Sequence, residues 1–193
     1  MLDRVASRTP PTITLSPMIS LPPPVSRLLL RGDAQAMALA GEVLSLTLAS
    51  QACRAATGAG RAALWLGPDE QLLLLPDSEG PGLLAALAEA LVDTRHSLVD
   101  ISHRQIAIEV SGARAEALLN TACPLDLDAA AFPVGMCTRT LLGKAEIVLW
   151  RTGPQTFRLE VWRSFGAYVT GLLAEAAREF GPAALLNSDG IQA

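Results

Sequence analysis

The stretch HSLVDISHRQ, residues 96 to 105, crowds His96, Ser97, Asp100, Ser102 and His103 together. Histidine, aspartate and serine are the parts of a hydrolytic triad, in which an imidazole held by a carboxylate takes the proton of a nucleophilic hydroxyl. Geometry decides whether these can be one. The alternating HSLVDIS reads as a strand, which sends His96, Asp100 and Ser102 to one face and His103 to the other. His96 and Asp100 are then about 13 Å apart along the strand, whereas a base and its orienting group must lie within about 3.2 Å. Asp100 and Ser102 fit a different task at a strand end, where short polar side chains satisfy free backbone amides. A metal site finds no support either, because His96 and His103 are the chain's only histidines and no other His or Cys lies at ligand spacing.

Other candidates fail on similar grounds. Gly143-Lys144-Ala145 lacks the GxxxxGK[ST] pattern, and Lys144, the only lysine, falls in a hairpin turn. GAGRAA, residues 58 to 63, leads into a strand where a dinucleotide fold needs a helix. Cys137, in PVGMCTRT, has only Arg139 nearby to favour its thiolate, so it reads as a buried structural thiol. No catalytic, cofactor-binding or metal-ligating residue is therefore assigned. Trp65, Trp150 and Trp162 all lie on expected strands, where core packing is the default. Trp162 shares a strand face with Arg158 and Glu160, and a solvent-facing Trp/Arg surface is the pattern of an interface anchor.

The composition frames these readings. The chain has 193 residues, half of them hydrophobic and 18% charged, with a net charge of −4. That balance argues against nucleic acid. No apolar run approaches the roughly 18 residues of a membrane helix, so the apolar excess must go into a core or against another protein. Almost all cations are arginine, which suits desolvated interfaces, although GC-rich codons give the same bias. Cys53, Cys123 and Cys137 are odd in number and widely spaced, and the N-terminus lacks a secretory apolar segment, which points to free thiols and the cytoplasm.

The elements that must position these residues are largely readable. Residues 1 to 25 carry six prolines and form either a disordered tail or an extended arm lying on a neighbour. VSRLLLR is a strand, and AQAMALAGEVL after Gly32-Asp33 is a helix. Residues 48 to 60 give no clear pattern. RAALWLGPDEQLLLLPD is a hairpin turning at Pro68-Asp69, and Leu84, Leu87, Ala88 and Leu91 mark the face of the next helix. Strands HSLVDIS and IAIEVSG follow, separated by HRQ, then a helix ARAEALLNTA. After the irregular CPLDLDAAAFPVG come antiparallel strands near 136–142, 145–151 and 156–162. A closing helix has Ser164 as its cap, an apolar stripe of Phe165, Tyr168, Val169, Leu172, Leu173, Ala176 and Phe180, and a Gly181-Pro182 stop. Strand pairs each followed by a helix imply an α+β fold of antiparallel sheets with helices on one face, in ferredoxin-like lobes. The expected organisation is an arm over 1–25, a domain over 26–181 and a tail over 182–193.

VDISHRQIAIEVSGARAEALL, residues 99 to 119, resembles the folate-binding aminomethyltransferase superfamily, whose members carry D-[VIL]-S-H before a strand and S-G-x-x-A-x-x-L-L on a helix. The matching positions are Asp100, Ile101, Ser102 and His103, then Ser111, Gly112, Ala115, Leu118 and Leu119. LWLGPDEQLLL, HSLVDISHR, CPLDLDAAAFPVGMCTRTLLGKAEIVLWR and FRLEVWRSFGAYVTGLL together resemble the gamma subunits of heterotetrameric sarcosine oxidases, over roughly residues 62 to 180. Gln71 stands where that family usually has tryptophan, and the first 60 residues match poorly. The resemblance implies a fold like the folate-binding domain of glycine-cleavage T-protein. It implies partners too: alpha, beta and delta subunits holding FAD, FMN, NAD, tetrahydrofolate and zinc, with no cofactor in this chain. The complex would oxidise sarcosine to glycine, giving hydrogen peroxide and either formaldehyde or 5,10-methylenetetrahydrofolate. The folate enzymes' catalytic N-D-D-like segment has no counterpart, since Asn120 and Asn187 do not precede Asp-Asp. Their R-T-G-Y-T-G-E loop survives only as Arg151-Thr152-Gly153, so no folate-binding residue carries over.

Overall fold

Proline does not keep residues 16–24 off the core. In the computed structural model, which describes residues 16–180, Ile19–Ser20 forms a short edge strand, β1, that pairs with β7 (Gln105–Ser111). Met18 and Ile19 are buried in the core beneath it. The position suits the segment, because an edge strand tolerates prolines whose missing N–H would face outward. The expected boundary at residue 25 thus lies within packed structure. Residues 1–15, the Gly181-Pro182 helix stop and the tail over 182–193 lie outside the described residues.

The first lobe runs β2 (Val25–Gly32), α1 (Ala34–Leu44), β3 (Ala55–Gly58), β4 (Arg61–Gly67), β5 (Glu70–Pro76), α2 (Gly80–Ala90) and β6 (His96–Asp100). Its sheet has the order β3-β4-β5-β2-β6, with every neighbouring pair antiparallel. Leaving out β3, this is the ferredoxin-like arrangement expected from the sequence. Asp33 starts α1 by accepting from the Ala36 N–H at 3.0 Å. Ala36, Ala40 and Leu44 then form its buried stripe, small enough to bring the helix close to β2. At the start of α2, Gly80 lies against Ser26, where an added Cβ would come within 2.0 Å of the Ser26 hydroxyl. β3 lies inside the 48–60 stretch that the sequence left unread.

The second lobe runs β7, α3 (Ala115–Asn120), β8 (Cys137–Leu142), β9 (Ala145–Gly153), β10 (Thr156–Trp162) and α4 (Gly166–Ala176). Its sheet order is β1-β7-β10-β9-β8. HSLVDIS and IAIEVSG therefore do not pair. β6 closes the first sheet, and the turn over 101–104 carries the chain across to β7 in the second. The α3 helix is shorter than ARAEALLNTA suggests. Ser164 does not cap the closing helix, because a 3-10 turn over Arg163–Phe165 precedes α4 and makes no side-chain cap bond. The stripe of α4 is narrower as well. Val169 and Leu173 are buried, Leu172, Ala176 and Phe180 pack at the core's edge, but Phe165 and Tyr168 are exposed.

Helices α1 and α2 cover one face of the first sheet, through Leu28, Leu30, Ala63, Leu73, Leu75 and Leu87. α3 and α4 cover one face of the second, through Ile108, Leu118, Ile147, Phe157, Leu159, Val161 and Leu173. The bare faces pack on each other, with Ala62, Leu64, Leu72 and Leu74 meeting Ile101, Cys137 and Val148. The result is four layers, α–β–β–α, which is why β4 and β5 are apolar on both faces. Each fully buried leucine contributes about 1.5–3 kcal/mol, and both inner and outer faces of these sheets supply them.

Candidate functional site

The histidine cluster sits at the exposed edge and end of β6. His96 is exposed, and its Nδ1 lies 3.1 Å from the Thr94 carbonyl oxygen. Asp100 Oδ1 accepts from both the Ser102 N–H at 2.8 Å and the Ser102 hydroxyl at 2.6 Å. Those two bonds hold the Asp100 carboxyl below its ordinary value of 3.8, with nearby His103 adding a smaller push. The Ser102 Oγ in turn accepts the Arg27 N–H at 2.9 Å, tying the turn after β6 to its neighbour β2. The hydroxyl of Ser102 is thus engaged with a backbone amide and a carboxylate. His103 is exposed, and its carbonyl accepts from Arg163 Nε at 2.8 Å. The strand-end reading of Asp100 and Ser102 is what the structure shows.

Cys137 is fully buried, and burial pushes its thiol up to about 12. At that value the thiolate is scarce near neutral pH, so the residue is not a nucleophile. Lys144 is exposed in the β8–β9 turn, where its N–H donates to the Tyr168 hydroxyl at 3.1 Å. Gly143 beside it has φ 60°, and a Cβ there would meet that hydroxyl at 2.5 Å. The Gly58–Arg61 segment is the β3–β4 turn. Among the described residues, no group of three or more His, Cys, Asp or Glu could hold a metal ion.

Two buried ionic clusters escaped the sequence reading. Glu160 lies between the sheets and accepts from Arg27 Nε at 2.5 Å and from Arg158 Nε at 2.8 Å. The face of β10 that carries Arg158, Glu160 and Trp162 is therefore mostly interior, and only Trp162 at its end reaches solvent. The alternating charges read as a solvated face because nothing local announces that a second sheet covers them. The other cluster is Arg151, the remnant of the R-T-G segment. It is buried, donates to the Leu127 and Phe132 carbonyls at 3.0 Å each, and also bonds Glu116 and the Pro154 carbonyl. Its guanidinium lies 4.9 Å from the Phe157 ring centre. Arg151 is the pin that orders the irregular CPLDLDAAAFPVG loop.

One end of the second sheet gathers exposed aromatic side chains, while Leu21, Val92, Val99 and Val134 are exposed singly elsewhere. Trp162 is 43% exposed with Arg104 stacked 5.0 Å over its ring. Phe165 and Tyr168 are 40% and 39% exposed and meet edge-on at 6.4 Å. Leu141, beside the Gly143-Lys144 turn, is 49% exposed. Amphipathic rings with arginine, clustered on a rigid sheet end, are the side chains that dominate binding energy at protein interfaces.

Comparison with known proteins agrees with the resemblance and extends it. The model of the sarcosine oxidase, gamma subunit family matches residues 31–179, starting well before the blocks that carried the resemblance. Sarcosine oxidase subunit gamma of Corynebacterium sp. (strain P-1) is 39% identical over 121 residues, and that of Arthrobacter sp. is 37% identical over 121 residues. Each alignment covers 63% of this chain and 59% of the relative's length. Among solved structures, a chain of heterotetrameric sarcosine oxidase from Corynebacterium sp. U-96, in complex with pyrrole 2-carboxylate, superposes with a TM-score of 0.79 at 29% identity. That match covers 91% of this chain and 87% of the other. The glycine cleavage system aminomethyltransferase T from Bartonella henselae matches at a TM-score of 0.59 and 14% identity, over 82% of this chain and 44% of that one, which shows a shared fold. With its family match spanning both lobes, this chain belongs to the sarcosine oxidase, gamma subunit family.

Proposed function

We propose that this chain is a non-catalytic gamma subunit of a heterotetrameric sarcosine oxidase, built to present a docking surface. The reaction served is the oxidative demethylation of sarcosine to glycine, with hydrogen peroxide and formaldehyde or 5,10-methylenetetrahydrofolate as products. Alpha, beta and delta subunits would hold FAD, FMN, NAD, tetrahydrofolate and zinc, in the cytoplasm. The described helices include none long and apolar enough to cross a membrane.

The observation that carries this reading is the commitment of the reactive groups to architecture. Asp100 and Ser102 hold a strand end, Cys137 is buried and protonated, and Arg151 is occupied by loop carbonyls. Set against that, Trp162, Phe165, Tyr168 and Leu141 stand exposed at one end. A second reading, in which the chain binds tetrahydrofolate by itself, is disfavoured by Arg151, whose donors face inward.

The test is sarcosine turnover by the co-expressed complex carrying His96→Ala and His103→Ala together. Turnover per assembled complex should stay within about twofold of wild type. A loss of about a hundredfold, the scale of a missing general acid or base, would overturn the proposal. Calorimetry of the chain with tetrahydrofolate should show no heat of binding, and micromolar binding would favour the second reading.

A further inference from the structure

The edge of a sheet can take on a strand from another chain, because its outward N–H and C=O groups lack a ladder partner. The two sheets have four edges, and three of them are blunted. β1 is two residues long and runs into Pro22-Pro23-Pro24. β8 carries Arg139, and the N–H of its first residue, Cys137, already donates to the Cys53 carbonyl at 3.0 Å. β3 has four residues and ends at the left-handed Ala59 and Gly60. β6, with the sequence HSLVD, carries no proline, lysine or bulge, and among the described residues no strand covers its outer edge. Val99 on it is exposed.

The register fixes which groups face outward. The Ile101 N–H donates to the Arg27 carbonyl at 2.9 Å, whereas the Gly32 N–H turns the other way, to the Asp69 carbonyl at 3.0 Å. Ladder bonds alternate along an antiparallel pair, so Ser97 and Val99 bond to Arg31 and Leu29 of β2. His96, Leu98 and Asp100 therefore aim their N–H and C=O groups away from the sheet. Those three positions also match themselves. When a second copy of β6 runs antiparallel with Leu98 facing Leu98, His96 of each copy falls opposite Asp100 of the other. Each of these facing pairs can then exchange both of its N–H···O=C bonds.

The side chains agree with the backbone. Asp100 holds Ser102 through Oδ1, and its Oδ2 accepts no bond among the described residues. His96 Nδ1 lies against the Thr94 carbonyl, so an imidazolium there keeps Nε2–H for another acceptor. Opposite charges directly across a ladder attract, and like charges repel. On the other face each Val99 falls opposite Ser97 of the second copy, and the two valines become diagonal neighbours.

We infer that two copies of this chain pair through β6, antiparallel about Leu98, and join their first-lobe sheets into one continuous sheet. The contact uses none of the aromatic residues at the end of the second lobe, so it stands apart from the assembly proposed above.

The experiment is sedimentation equilibrium of the full-length chain, together with amide hydrogen exchange read by NMR at low and high concentration. The chain should dimerise. The amides of His96, Leu98 and Asp100 should gain at least tenfold protection as concentration rises, while those of Ser97 and Val99 stay protected throughout. His96→Asp sets like charges opposite Asp100 and should weaken the dimer at least tenfold, whereas His96→Lys keeps the pair and should dimerise at least as tightly as wild type. Any of four results would overturn the inference. The chain stays monomeric at the highest concentration; the dimer is indifferent to His96→Asp; the three outward amides exchange equally at both concentrations; or their protection appears only when the larger subunits are added, which would make the occupant a different protein.

Discussion

Ser102 makes three hydrogen bonds to two groups: its hydroxyl accepts the Arg27 amide and donates to the Asp100 carboxylate, to which its own N–H also donates. Ser102→Ala should cost about 1–2 kcal/mol, as a part-buried amide loses its acceptor. It should also let the Asp100 pKa rise toward 3.8, a change read by carboxyl NMR titration. The folded pKa is depressed, so this part of the stabilisation is fully present above 3.8 and is lost as pH falls through the folded value. The stability gap between wild type and Ser102→Ala, measured by urea unfolding, should therefore be flat near neutral pH and narrow in acid. For the thiols the expectation is selectivity. A thiol reagent at mildly alkaline pH should reach half-buried Cys53 in the native chain, and Cys137 only after unfolding.

At the scale of elements, the buried ions link parts that the chain makes far apart. Glu160→Ala would strand Arg27 and Arg158 between the sheets, at a cost of about 3–5 kcal/mol, measurable as a lower urea midpoint. Arg151→Met should act locally and melt the 123–135 loop onto the surface, so that limited proteolysis cuts there first. The same elements show what a sequence discloses. Asp33, the Pro68-Asp69 turn and the alternation in IAIEV are local signals, and helix α1, the β4–β5 hairpin and β7 appear where those signals place them. Ser164 misled because a capping side chain was inferred without the 3-10 turn that actually leads into α4. Arg158 and Glu160 misled because a charged residue reads as exposed unless its partner, more than a hundred residues away for Glu160 and Arg27, is known, and the burial of Arg151 had no local signal at all. β3 was unreadable since its AATG pattern has almost no apolar side chain to bury. Of the candidate surface, Trp162 was legible from its type, but Phe165 and Tyr168 passed for core because their spacing fits a buried helix stripe.

Across the whole molecule, two lobes pack back to back and bury the inner faces of both sheets. That burial accounts for much of the apolar composition, and no described helix is long and apolar enough to cross a membrane. The central claim is that this end supplies contact to a larger assembly while the chain performs no chemistry. Losing these half-exposed rings should leave the fold in place at a moderate cost, since Trp162 and Phe165 are 43% and 40% exposed and pack the rest of their surface. Trp162→Ala/Phe165→Ala, co-expressed with the larger subunits, should stay folded with a Tm lower by about 10 °C at most. The most direct measurement is the amount of this variant that co-elutes with those subunits in size-exclusion chromatography. The account predicts a folded chain that elutes largely on its own, at least tenfold depleted from the complex. Undiminished co-elution of the variant, or sarcosine oxidation by the wild-type chain alone, would contradict it.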